Sequence, residues 1–330
     1  LDANSRISLS NNDASGAVGT TLFGYNAGLS VVSGAIQNTF IGHEVSDATM
    51  TNGADYNTAV GASSMSALTS GTQNTAHGMN SLHRVTSGSY NTAIGVASLE
   101  DITTTSNNTA VGRQSGFYSV GTDNTYIGYQ SGLGSDGSGA DNYNTAVGSL
   151  SLTAITTGAE NTAVGYQSLD ANTIGHYNTA LGYNSLSANV EGDSNTGIGA
   201  RALISCNPAD GTGYNSSLGF NSGYFITNGE GNTIVGAQSG ATGSNNLSTG
   251  DNNTLIGKAV GTSIADAQNQ TVIGQGATGQ ADNSVTLGNA NVDNVYMSQD
   301  SMARIHCSQI QFPGSQNATT GANVLDDYEE

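Results

Sequence analysis

The sequence predicts an all-β protein: a repetitive parallel β-solenoid or β-roll of about 16 coils, with a period near 17 residues. Three observations carry that reading. Asn-Thr-Ala-Val-Gly and close variants recur sixteen times between Thr20 and Gly288. Glycine supplies 46 of 330 residues against 2 prolines, so turns are frequent and built from glycine. Only 9% of positions are charged, far below the roughly 25% of ordinary soluble domains, and the helix formers Lys, Arg and Glu are scarce. A helical or doubly wound α/β architecture is therefore disfavoured. Units this short cannot close a core alone and become stable only by stacking.

Taken in order, residues 1–19 read as a lead-in segment, with Ser5-Arg6-Ile7-Ser8-Leu9-Ser10 alternating polar and apolar as a strand does. Residues 20–288 hold the repeats. Copies begin at Thr20, Asn38, Asn57, Asn74, Asn91, Asn108, Asn124, Asn144, Asn161, Asn178, Asn195, Asn215, Asn232, Asn253, Gln270 and Asn283, and eight of the fifteen intervals are 17 residues. At the inter-strand spacing of ~4.8 Å, sixteen coils make a stack on the order of 75 Å long. Residues 289–330 lose the motif but keep strand-like runs at 294–297 and 303–312, so they read as a β-rich transition that caps the roll and ends in an acidic stretch.

Within each copy the second slot is Thr or Ser, and the slot before the closing Gly is large and apolar in fifteen of sixteen copies. That column is Phe23, Ile41, Val60, Ile94, Val111, Ile127, Val147, Val164, Leu181, Ile198, Leu218, Val235, Ile256, Ile273 and Leu287, and it is expected to line the interior. Residues two apart share a strand face, which puts the Thr/Ser column on the same side. The copy at Asn283 carries one extra residue and breaks this parity. After the Gly corner most copies read x-x-Ser-Leu or x-x-Ser-Gly, expected as a second short strand, and a Gly-containing turn returns to the next Asn. Aligned Asn side chains are expected to form amide ladders or bond to turn backbone, an architectural role.

With 6 basic against 25 acidic side chains the formal charge is −19, which repels nucleic acid and anionic lipid. No apolar run approaches a membrane span, and Leu1-Asp2-Ala3-Asn4 lacks the basic and apolar regions of a signal peptide. Cys206 and Cys307 are too few for a disulfide framework and lie five coil steps apart, so free thiols are expected. The chain has no Gly-rich phosphate loop before a helix, no Cys/His ligand cluster and no nucleophile elbow. It is expected to be non-enzymatic and to carry no cofactor.

The tandem Asn-Thr-Ala-Val-Gly-x-x-Ser-Leu units separated by Thr-Thr-Gly or Thr-Ser-Gly turns resemble the repeat region of tailed-phage fibre and appendage proteins. Asn283-Ser284-Val285-Thr286-Leu287-Gly288 is similar to the coil motif in the head of trimeric autotransporter adhesins, and the closing Asn323-Val324-Leu325-Asp326-Asp327-Tyr328-Glu329-Glu330 resembles a segment common in phage fibres. The resemblance implies a left-handed roll in a homotrimer, a place on the virion, and other fibre or baseplate proteins and a host glycan or protein receptor as partners. The period, longer than in the adhesin head, favours the phage over a bacterial cell-surface adhesin. Small Ala, Ser and Gly columns and a thin core give trimerisation a physical motive as well. The rival from another class is a monomeric ice- or glycan-binding solenoid, which needs the Thr column to face water; its parity with Val/Ile is expected to point it inward.

Candidate sites are few. His77 is the one polar residue in the apolar column, so three copies on an axis would gather it as an anion or metal site; a hydrogen-bonded buried or rim histidine is the alternative. Tyr25, Tyr129, Tyr166, Tyr183 and Phe220 follow the corner Gly and form an aromatic ledge, for sugar rings or for packing between coils or chains. Coils of 20, 20 and 21 residues carry insertions within 131–143, 206–214 and 239–252, whose excess residues are expected to project, with Asp136 and Asp141 as surface recognition candidates.

Overall fold

The computed structural model describes residues 5–8, 18–135, 139–208, 211–243 and 245–295. Asp136, His306, Cys307, the end of the run 294–297 and all of the run 303–312 lie outside the described residues, as does the acidic ending. The chain divides into two units, Leu1–Asn291 and Val292–Glu330. Only 292–295 are described in the second.

The first unit is a β-solenoid. Its sheet contains sixteen parallel strands, one per repeat, from Thr21–Tyr25 to Val285–Leu287, and no helix occurs among the described residues. Strands pair in strict order and strict register, so that Thr162, Ala163 and Val164 lie between Thr145, Ala146 and Val147 on one side and Thr179, Ala180 and Leu181 on the other. Ser5–Ser8 forms the expected lead-in strand and pairs with Thr21–Tyr25, antiparallel. At the other end, Val285 rather than Ser284 pairs with Thr271, and Leu287 pairs with Ile273. The extra residue of that copy thus takes Ser284 out of the Thr slot, as expected, and Val285 fills the slot in its place.

The expected second strand does not form. The x-x-Ser-Leu segment has a left-handed backbone at alternate residues, φ 51° at Gln167 and 50° at Leu169, a conformation that is uncommon for residues with a Cβ. It is held by hydrogen bonds to both neighbouring coils, Gln167 N–H to Ser149 O at 3.2 Å and Leu169 N–H to Ser185 O at 3.1 Å. The backbone ladder therefore continues around the coil without being a strand. At the other corner Gly165 sits at φ 137°, and a Cβ there would lie 2.5 Å from the carbonyl oxygen of Gly182. Coil stacking leaves no room for a side chain at this column.

The core is the opposite face of the strand from the one expected. None of the fourteen residues from Ile41 to Leu287 in the aliphatic column is buried; each is half-buried or exposed, with Leu181 46% and Leu218 49% exposed. Phe23, at the head of that column, is also exposed. Parity holds, because the Thr column shares this outer face. Inside lie the two other slots, Asn and Ala, with Ala59, Ala76, Ala93, Ala146, Ala163 and Ala180 fully buried. They pack against Leu82, Leu99, Leu152, Leu169 and Leu186 from the Ser-Leu segment and against Leu68, Val85, Ile102 and Ile155 from the third side. The physical reason is the narrowness of the coil: with leucine entering from the opposite wall, the strand must contribute a small side chain. Val or Ile in that slot opposite a leucine would overfill the space, and Ile234 and Val272 stand where the facing position is Gly240 or Thr278.

Candidate functional site: the outer face of the ladder

Asn positions the sheet. The backbone N–H of Asn161 donates to Asn144 Oδ1 at 3.0 Å, while its own side-chain amide donates to Asn144 Oδ1 at 3.2 Å and to Gly175 O at 2.8 Å. The first of these bonds repeats without a break from Asn57, which donates to Asn38 Oδ1, to Gln270, which donates to Asn253 Oδ1. The amide ladder expected from the sequence is thus internal, and each Oδ1 from Asn38 to Asn253 accepts the next coil's N–H, although Asn195 Nδ2 is buried without a partner. The serine column adds bonds within each coil, such as Ser168 Oγ to Gly165 O at 3.1 Å.

Outward, the sheet displays Thr/Ser and Val/Ile side by side, coil after coil, and no Asp, Glu, Lys or Arg stands in either column from Thr21 to Leu287. His77 belongs to this face and is exposed, not in the interior column where the sequence placed it.

The ledge after the corner Gly is real but divided. Tyr166 and Tyr183 stack at 5.7 Å with 9° between their planes, and the Arg201 guanidinium lies 5.8 Å from the centroid of Tyr183. Tyr25 stacks on His43 at 5.0 Å, and Arg113 covers Tyr129 at 5.7 Å. Phe220 is exposed. Where rings stack coil on coil their faces are spent on one another, so this row serves packing between coils more than it offers faces to sugars.

Asp141 is not a surface residue. It is 1% exposed and accepts hydrogen bonds from Tyr126 Oη at 2.7 Å, from Ser119 Oγ at 2.9 and 3.0 Å and from Gly121 N–H at 2.9 Å. Burial pushes its carboxyl up to about 6, against those hydrogen bonds, and holds the Tyr126 phenol well above its ordinary range. The insertion of that coil therefore re-enters the core. The insertion at 239–252 does the same through Leu247, which is fully buried.

Among the described residues no three His, Cys, Asp or Glu side chains are grouped to hold a metal. Cys206 is a free, buried thiol whose pKa is pushed up to about 12 by burial.

One exposed row escaped the sequence reading. Tyr56, Tyr90, Tyr143, Tyr177 and Tyr214 each immediately precede the Asn of their coil, and each is 53–63% exposed, more than any residue of the ledge. Their fixed offset from Asn was the available signal.

Compared with known proteins, the chain matches no family model and no curated sequence.

Proposed function

We propose that the chain is a structural, non-enzymatic fibre segment, of the kind tailed phages carry, that extends and supports recognition of a host receptor. One observation carries the reading: the buried bond from each Asn N–H to the preceding Asn Oδ1 runs unbroken from Asn38 to Gln270. A continuous ladder of this kind gives axial stiffness, a mechanical rather than a chemical property. The virion is the corresponding location, and other fibre or baseplate proteins are the corresponding neighbours. A bacterial surface adhesin would use the same mechanics.

The homotrimer belongs to this proposal. Copies that each carry a net charge of −19 repel unless they meet on uncharged surface, and the Thr/aliphatic face is uncharged along its length. Sedimentation and chemical crosslinking test it. The native chain is expected as a trimer, and Val164→Asp, on the outer face, is expected to give monomers with an unchanged circular dichroism spectrum. A native monomer refutes the trimer.

A second reading is favoured by the outward Thr column, the condition that an ice-binding solenoid requires. Clear thermal hysteresis from a monomer would establish that reading in place of the fibre; no hysteresis removes it.

A further inference from the structure

We propose that Tyr143, Tyr177 and Tyr214 form a binding row for an extended, uncharged β-1,4-linked polysaccharide. This deepens the receptor-recognition part of the reading above, but on a row of residues separate from the ledge and from the Thr/aliphatic face.

The row is held in register by the backbone. Tyr177 N–H donates to Ala159 O and Glu160 N–H to Asn142 O, while Tyr214 N–H donates to Asp193 O and Ser194 N–H to His176 O. Tyr143, Glu160, Tyr177, Ser194 and Tyr214 therefore occupy one column on consecutive coils, with tyrosine on every second coil. Two coil steps are about 9.6 Å, close to the advance of one disaccharide in an extended β-1,4-linked glycan, where alternate sugars present the same face. Three rings spaced in this way match alternate sugars of a single chain. Each ring offers an apolar surface to the C–H face of a sugar, as tyrosine does where one end of a contact is apolar and the other wet.

Three further features fit this ligand. The three are the most exposed tyrosines among the described residues, and Glu160 and Ser194, between them, put a carboxylate and a hydroxyl within the row to pair with sugar hydroxyls. The three share one backbone conformation, φ 59° for Tyr143, 60° for Tyr177 and 51° for Tyr214, and each N–H is bonded to the preceding coil, so the rings leave the sheet in the same way. The charge of −19, with Glu160 inside the row, opposes acidic polysaccharides and leaves neutral ones as the fitting class. Tyr56 and Tyr90 repeat the two-coil spacing on the same column, and three coil steps separate Tyr90 from Tyr143.

The test is depletion of the full chain from solution by microcrystalline cellulose and by chitin, with granular starch, an α-linked glucan of different pitch, as control. Binding to cellulose or chitin but not to starch is expected. The triple substitution Tyr143→Asn, Tyr177→Asn, Tyr214→Asn is expected to weaken it at least tenfold without unfolding, because Asn107, Asn252 and Asn269 already hold this slot at φ 63°, 58° and 51°. A register variant, Glu160→Tyr with Tyr177→Glu, keeps the number of rings but destroys their spacing, and is expected to lose binding equally. Absence of native binding to both polymers overturns the proposal, as does a register variant that binds as well as the native chain. Sedimentation reports on the fibre reading separately, so either can fail alone.

Discussion

Replacing Asp141 by Asn should abolish a pH dependence that the native chain carries in one place. Asp141 is buried with a carboxyl raised from 3.8 to about 6, and the difference corresponds to about 3 kcal/mol between its charged and neutral forms. The folded chain holds this proton more tightly than the unfolded chain, so between about pH 6 and pH 4 the folded state binds more protons and stability rises as pH falls. Above pH 6 the full penalty of the buried charge is present; below pH 4 it has gone. Asn keeps an acceptor for Gly121 N–H and Ser119 Oγ, and its amide can donate to Tyr126 Oη, whose phenol remains protonated. In a stacked repeat the effect should be local, because each coil contacts only its neighbours. Hydrogen exchange is the fitting assay: between pH 7.5 and 4, corrected for intrinsic exchange, the opening free energy of Gly121, Thr125 and Thr145 amides should rise in the native chain by about 3 kcal/mol. In Asp141→Asn it should stay flat apart from what distant carboxylates contribute. Parallel pH curves for the two proteins would refute the reasoning.

Other perturbations address the ladder and the corner. Asn161→Ala removes the bonds to Asn144 Oδ1 and Gly175 O and strips Asn178 N–H of its acceptor, and with a buried unpaired group costing about 1–3 kcal/mol a loss of several kcal/mol is expected in thermal melting. Gly165→Ala places a Cβ 2.5 Å from Gly182 O on a backbone at φ 137°, so it should cost more than about 1 kcal/mol; an unchanged melt would mean that the corner yields. Cys206, its thiol pushed up to about 12, should resist iodoacetamide at pH 8 and be alkylated once denaturant opens the coil. Rapid labelling at Cys206 in the folded chain, located by peptide mapping to separate it from Cys307, would contradict its burial.

Period, coil number, register and the glycine corner were all legible in the sequence, because each is set by a repeating local constraint. The Asn ladder was legible for the same reason. Sidedness was not. Alternation reveals which residues share a face, and here it correctly joined Thr162 with Val164, but it is silent on which face is inside. The usual tie-breaker, that the larger apolar residue is buried, fails when the interior is filled from the other wall by Leu169 and Ile155. Asp141 was misplaced by a similar shortcut. An insertion was taken to leave the core, whereas Tyr126 there brings a buried hydroxyl that needs a partner.

A signal for the true interior was nevertheless present, in how two slots vary together. In most copies whose middle slot is small, as at Ala76, Ala93, Ala146, Ala163, Ala180 and Gly197, the residue six positions on is leucine, Leu82, Leu99, Leu152, Leu169, Leu186 and Leu203; Ala59 is followed by Met65, and Ser217 by Gly223, whose Cβ position lies against Leu203 and Ile234 of the neighbouring coils. Where the middle slot is large, as at Leu22, Phe40, Tyr126, Ile234 and Leu255, the sixth residue on is Gly28, Ser46, Gly132, Gly240 and Gly261. Only residues that share one filled volume need to compensate in this way. Tyr126 shows the contact directly: a Cβ on Gly132 would lie 2.3 Å from its ring, and one on Gly116, in the preceding coil, 2.9 Å from it. One tyrosine therefore occupies the leucine space of two coils, which explains why Ala110 is followed by Gly116 although its own middle slot is small. The aliphatic column shows no such exchange with any partner slot, varying among Val, Ile, Leu and Phe and admitting His77. Freedom of that kind marks a surface that is not packed inside its own coil, and it is the same surface that the trimer would use.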